Sequence, residues 1–156
     1  MRVTISAVGR LKDSPEGLLF DDYRHRFDRT GRALGLGPTT LREVEDRKGG
    51  GKPAEAALLL AALPEDARLI ALDERGLAMS SPDFARLLAD WRDDGVRDCA
   101  FVIGGADGLH PDLVSAADRV LSLGQMVWPH MLARVMLAEQ LYRAATILSG
   151  SPYHRM

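Results

Sequence analysis

The chain reads as an α/β protein, a mostly parallel sheet with helices on both faces. Two observations predict this. Strand-like apolar runs alternate with helical periodicities from the first residues to the last. One of those runs, residues 98–103, is continuously apolar, as in a strand covered on both sides. With 156 residues, no internal repeat and no low-complexity linker, a single domain spanning residues 1–156 is the expectation.

Taken in order, residues 3–8 alternate enough to form a first strand, closed by Gly9. From Pro15 to about Leu34, the apolar Leu18, Leu19, Tyr23, Phe27 and Leu34 recur at helical spacing. Leu36-Gly37-Pro38 ends that helix, and residues 39–45 form a second strand. Residues 46–53 are a glycine-rich charged loop, and residues 54–63 a short, very apolar helix. Residues 68–73 read as a buried strand with a polar end. Ser81-Pro82-Asp83 opens the next helix with a capping serine, a proline at the first position and an acid in the first turn. That helix runs to Asp94 and stops at Gly95. After the strand at 98–103 come a short helix at 111–118, a last strand at 120–123 and a closing helix at 132–148.

Composition narrows the functional classes. Apolar residues make up 46% and charged residues 27%, ordinary for a globular protein. A net charge of −2 disfavours bulk nucleic-acid binding through excess cations. Even so, Arg24, His25, Arg26, Arg29 and Arg32 crowd one segment, and Arg42, Arg47, Lys48 and Lys52 the next. The lone Cys99 forms no internal disulfide, which suits a reducing compartment. The chain starts directly as a strand, and no apolar run approaches the roughly 20 residues that cross a bilayer. These features predict a cytoplasmic protein without membrane association.

Several segments invite a chemical reading. Gly104-Gly105-Ala106-Asp107-Gly108 follows a strand but lacks the spacing of a dinucleotide fingerprint. A tight turn and a loop whose backbone approaches a ligand are equal readings. Gly49-Gly50-Gly51-Lys52-Pro53 fails the phosphate-loop pattern at both ends: Asp46 stands where glycine is needed, and Pro53 where Ser or Thr is needed. His130, in Trp128-Pro129-His130, reads as a capping residue or as a base. Cys99 reads as core, and no metal-ligand spacing occurs. The closing helix is apolar over more than one face, from Leu132, Val135 and Met136 to Leu141, Tyr142 and Leu148. A second subunit is the expected cover, which predicts a homodimer. The tail Tyr153-His154-Arg155 is either frayed or folded over a site, its own or the partner's.

In these residues the chain resembles the small SPOUT-class methyltransferases of the family called ribosomal RNA large subunit methyltransferase H. The matching pieces are Val8-Gly9, Leu72-Asp73, Ile103-Gly104-Gly105, Gly108-Leu109, Ser122-Leu123 and Pro129-His130. Arg134-Val135, Ala138-Glu139, Leu141-Tyr142-Arg143-Ala144 and Pro152-Tyr153-His154-Arg155 continue the match to the tail. The resemblance implies an α/β fold with a C-terminal trefoil knot, a homodimer, and S-adenosyl-L-methionine held in the knot. It implies methyl transfer, without a metal, to the ring N3 of a pseudouridine in the 23S rRNA of the assembled ribosome. Carried over by position, the cofactor would touch Leu72, Gly104, Gly105 and Leu123, and the stretch Gly124, Gln125, Met126, Val127, Trp128 and Pro129. Tyr153, His154 and Arg155 become the candidate catalytic residues. Arg24, Arg26, Arg29, Lys48 and Lys52 become candidates for an RNA-facing basic surface. Another RNA target, or a ribosome-binding module without turnover, are the competing functions.

Overall fold

The computed structural model describes residues 1–155. Within them lie five parallel strands: β1 (Arg2–Val8), β2 (Thr39–Val44), β3 (Arg68–Ala78), β4 (Asp98–Ile103) and β5 (Arg119–Ser122). Their order across the sheet is β2-β1-β4-β3-β5. The connecting helices are α1 (Pro15–Gly31), α2 (Gly51–Ala61), α3 (Ser81–Asp93), α4 (Pro111–Ala116) and α5 (His130–Ser149).

The central β4 explains the layering. Cys99, Phe101 and Ile103 point into one core, while Ala100 and Val102 point into another. Alternation with period two, apolar on both faces, is what the unbroken run at 98–103 encodes. The larger core receives Phe20 and Phe27 from α1, Phe84 and Leu88 from α3, and Leu137 and Leu141 from α5. Phe84 meets Phe101 edge-on, with ring centroids 6.1 Å apart. On the opposite face, Ala56 and Leu59 of α2 and Leu113 of α4 cover Leu69, Ala71, Ala100 and Val102. Ser6, fully buried among them, satisfies its hydroxyl by donating to the Leu59 carbonyl at 3.1 Å.

Several element boundaries differ from the sequence expectation, each for a local reason. β3 continues past Asp73 to Ala78, with a register shift against β5 between Leu72 and Leu77. The polar Asp73-Glu74-Arg75 forms that irregularity, and its polarity hides the continuation. The cap of α3 is Ser80, whose Oγ accepts from the Asp83 amide at 3.2 Å, not Ser81. Two adjacent serines both have capping chemistry, and Pro82 tolerates either register. α2 starts at Gly51, inside the expected loop, because Asp46 organises the approach by accepting the Lys48 amide at 3.0 Å. α1 ends at Gly31, and its last expected turn, Arg32–Leu34, tightens into a 3-10 helix. α5 begins two residues early, at His130.

Candidate active site

The crevice lies beyond the carboxyl ends of β3, β4 and β5, where open α/β sheets bind their ligands. Its volume is about 480 Å³, and its walls come from four segments that the topology brings together. Leu72 to Arg75 leave β3, Ile103 to Leu109 leave β4, Leu121 to Trp128 follow β5, and His130 opens α5. Lys52, in the first turn of α2, closes one side.

Much of this wall is peptide rather than side chain. After β4 the backbone folds back on itself, with the Gly108 amide donating to the Gly105 carbonyl at 3.0 Å. A Cβ on Gly104 would stand 2.6 Å from the Gly108 carbonyl carbon, so only glycine fits this approach. After β5 the chain turns through Gly124 at φ 118°. Ser122 fastens that turn: its Oγ accepts from the Gly124 amide at 3.1 Å and lies 3.2 Å from the Glu74 carbonyl. The irregular end of β3 and the loop after β5 are thereby held side by side in one wall of the crevice.

The charges on the wall are mixed. Asp73 is gripped by Arg75 through Nε and Nη2, both at 2.9 Å, and through the Arg75 amide. Those bonds hold its carboxyl below the usual carboxylate range, against its burial. Glu74, Asp107 and Lys52 add further charge at the rim. His130 is pushed below the ordinary histidine value, chiefly by burial and then by the neighbouring Arg134, with Glu55 opposing. Arg134 itself is completely buried. It donates to the carbonyls of Val8 and Gly9 and to Glu43 Oε1, the last two at 3.0 and 3.2 Å. Glu43 also accepts the Leu11 amide at 2.7 Å, so the exit of β1 is clamped to the first turns of α5.

The structure brings eight of the ten expected cofactor residues into this one wall: Leu72, Gly104, Gly105, Leu123, Gly124, Met126, Val127 and Trp128. Gln125 and Pro129 belong to the same loop but are not part of the lining. The tail lies elsewhere. Tyr153 donates to Glu139 Oε1 at 2.9 Å and packs on Tyr142, with centroids 4.6 Å apart. Its ring carries the Arg143 guanidinium 4.8 Å above it, and His154 Nδ1 lies 3.3 Å from Arg143 Nη1. Arg155 is exposed. This cluster borders a second groove, lined by Leu19, Tyr23, Met136, Glu139 and Arg143. Within one chain, therefore, the tail does not reach the crevice.

The five cations expected to share a basic face are also divided. Arg24, Arg26 and Arg29 ride on α1, on the side of the sheet opposite α2, whose start carries Lys48 and Lys52 nearby. Arg24 pairs with Asp21 at 3.1 Å and Arg26 with Asp22 at 2.8 Å. Asp73 to Arg75 line the wall without belonging to the expected site residues, although a polar triplet at the end of a buried strand signals them. Arg134 shows in the sequence as one cation on an apolar helix face, which does not reveal its clamp.

An open parallel sheet with a glycine-built, peptide-lined crevice beyond its strand tips defines an α/β protein of the class that holds small-molecule ligands at the carboxyl ends of its strands. The particular family follows from comparison with known proteins. The chain belongs to the SPOUT methyltransferases: the family model described as "Predicted SPOUT methyltransferase" matches residues 1–154. It is therefore a methyltransferase, and its reaction requires a methyl donor. Proteins named Ribosomal RNA large subunit methyltransferase H are similar along their whole length. That of Ruegeria pomeroyi is 67% identical over 156 residues, 100% of both chains. That of Dinoroseobacter shibae is 65% identical over the same span, again 100% of both. The Paracoccus denitrificans protein is 62% identical, covering 99% of each. Among solved structures, a probable methylase family protein from Haemophilus influenzae Rd KW20 matches with a TM-score of 0.52 at 12% identity. It covers 99% of this chain and 70% of that one, and shares the fold.

Proposed function

We propose that this protein methylates the ring N3 of a pseudouridine in the 23S rRNA of the assembled ribosome, using S-adenosyl-L-methionine. The observation that carries the reading is the crevice itself, built on a chain that matches the rRNA methyltransferase H proteins from end to end.

The residues present suit that cofactor. The volume of about 480 Å³ falls in the range of small-molecule sites. Met126, Val127 and Trp128 hold apolar side chains 73%, 80% and 41% exposed along one wall, surface that a purine ring would cover. The peptide groups after β4 and β5 offer donors and acceptors to its edges. Asp73, Glu74 and Asp107 place carboxylates around a cationic ligand. Bound there, S-adenosyl-L-methionine supplies a methyl group activated by a sulfonium leaving group. The chain's own work is alignment and water exclusion, and no side chain has to form a covalent intermediate.

The same reading gives the molecule its assembly. α1 and the far end of β3 leave apolar surface open, with Leu18 75%, Leu19 45% and Leu77 69% exposed. A second copy covering this surface would bring a partner's tail towards the crevice, giving Tyr153, His154 and Arg155 a substrate-positioning role. The chain also returns from β5, at the sheet edge, to α5, whose Arg134 grips the end of β1. We read that return as closing the trefoil knot, within one catalytic domain. No helix among the described residues is long and apolar enough to cross a membrane. Action on ribosomes places the protein in the cytoplasm.

Two measurements test the reading. Calorimetric titration with S-adenosyl-L-methionine should give saturable heat. Ribosomes lacking the modification, incubated with protein and cofactor, should yield N3-methylpseudouridine on nucleoside mass analysis. Absence of heat, or a methyl group on a different nucleoside, overturns it.

A further inference from the structure

We propose that His130 is the catalytic base of this methyltransferase, the group that removes the proton from the ring nitrogen being methylated. The inference rests on the function proposed above. It concerns a residue of the crevice wall and leaves substrate positioning to the tail.

The reaction fixes what is needed. A ring imide N–H is a poor nucleophile until its proton leaves. The N–H bond breaks as an imidazole nitrogen takes the proton. The electron pair left on N3 forms the N–CH₃ bond, while the C–S pair of the donor departs on sulfur. The imidazolium then returns its proton to solvent, and nothing is oxidised or reduced.

The crevice offers few candidates for this acceptor. Lys52 and Arg75 are cations. Asp73 spends both carboxylate oxygens on Arg75. Glu74 and Asp107 are carboxylates, a class of base weaker than imidazole and poorly matched to an imide proton. His130 is the one imidazole on this wall among the described residues. His154 of the tail is held on Arg143 beside the second groove, away from this wall.

Position agrees with the role. His130 begins α5, directly after the loop that lines the crevice, and its Nε2 sits by the exit of β1. A Cβ on Gly9 would lie 3.6 Å from both His130 Nε2 and Arg134 Nη2. Imidazole and guanidinium thus both stand against the turn at Gly9, whose φ of 85° suits glycine. The charged groups acting on the ring are Arg134 on α5, itself bonded to Glu43 of β2, and Glu55 on α2, while Lys52 and Asp107 line the same crevice. The buried Arg134 cannot take the proton and disfavours a charged imidazole in the resting enzyme. The opposing Glu55 steadies the imidazolium once formed. The ring therefore rests neutral near pH 7, with a lone pair to offer.

The test uses the full-length protein, ribosomes lacking the modification, and S-adenosyl-L-methionine. Single-turnover rates of His130→Gln should fall by about 10²–10⁴-fold. Calorimetric affinity for the donor should stay within about threefold, because the imidazole is not asked to bind it. The wild-type rate should lose activity on acidification, and the variant should lack that limb. In the free wild-type enzyme, the NMR titration of the His130 ring should have its midpoint below about 6.5, on the same limb. Added imidazole should restore part of the rate to His130→Ala. Wild-type rates in His130→Gln, an unchanged acid limb in that variant, or donor affinity lost in step with rate would each overturn the assignment. Wild-type protein that methylates no ribosome would instead remove the proposed function, and this inference with it.

Discussion

At the scale of single residues, the crevice depends on what is missing as much as on what is present. Gly104 lets the return of the chain pass within a distance that a Cβ would close to 2.6 Å. Gly104→Ala should therefore displace residues 105–109, cost about 1–3 kcal/mol of stability, and weaken donor binding at least about tenfold. Denaturant melts paired with calorimetry would read both effects; a stable variant with undiminished affinity would show the loop to be less constrained than its geometry states. His130 offers a pH test independent of catalysis. Burial and Arg134 lower its folded-state value beneath the ordinary 6.5 of an unfolded chain. Above 6.5 both states are neutral, and the contribution to stability is constant. As pH falls through that value the unfolded state gains a proton first, so stability declines until the folded ring also protonates. The melting temperature of wild type should thus drop more between about pH 6.5 and 5 than that of His130→Gln. Equal slopes would mean that the ring is more open to water than its surroundings indicate.

At the scale of elements, local chemistry sets where helices begin, and packing sets where they sit. Ser80 caps α3, whose Phe84, Leu88 and Trp91 are buried in the larger core. Ser80→Ala should cost about 1 kcal/mol and lower the melting point by roughly 2–4 °C. Ser81→Ala, one residue on, should cost much less, because its hydroxyl meets only Gln140 Oε1. Calorimetric melts of the pair would distinguish the two serines. From the sequence the cap reads as Ser81, one residue late, because both serines carry capping chemistry and only the folded register separates them. Periodicity and end signals together indicate each strand and helix, because burial on both faces of β4 and on one stripe of α1, like the start of α3, leaves a mark in residue order. The glycines after β4 and β5 marked the crevice, since backbone approach needs them. Other features left no periodic trace. The extension of β3 is polar because it faces a ligand crevice rather than a core. The Arg134 clamp joins residues more than a hundred positions apart, and no local pattern encodes such a contact. The division of the basic segments between opposite faces of the sheet follows from strand order, which composition does not carry.

At the scale of the whole molecule, the tail and the crevice are separated within one chain, and that separation makes assembly part of the proposed chemistry. Tyr153 and His154 rest on Glu139 and Arg143, along α5 from the end that lines the crevice. Beside them opens a groove running from the tail cluster to the loop after β5, a strip in which the apolar Leu19, Ala78, Val135 and Met136 are mixed with the polar Ser81, Ser122, Glu139 and Gln140. Strips of this kind on small proteins are commonly covered by a partner, and a two-fold dimer uses the same patch on both copies. Sedimentation at micromolar concentration should therefore give twice the monomer mass of 17.0 kDa. Leu19→Glu, 45% exposed and outside the crevice lining, should shift that equilibrium to monomer without unfolding the chain. If each crevice is completed by a partner's tail, the monomer should lose methylation while retaining heat on titration with the methyl donor, whose wall is built by one chain alone. A monomeric variant that methylates at wild-type rate would show that the tail acts within its own chain, after moving from where Glu139 and Arg143 hold it. A dimer that persists in the variant would place the interface on another surface.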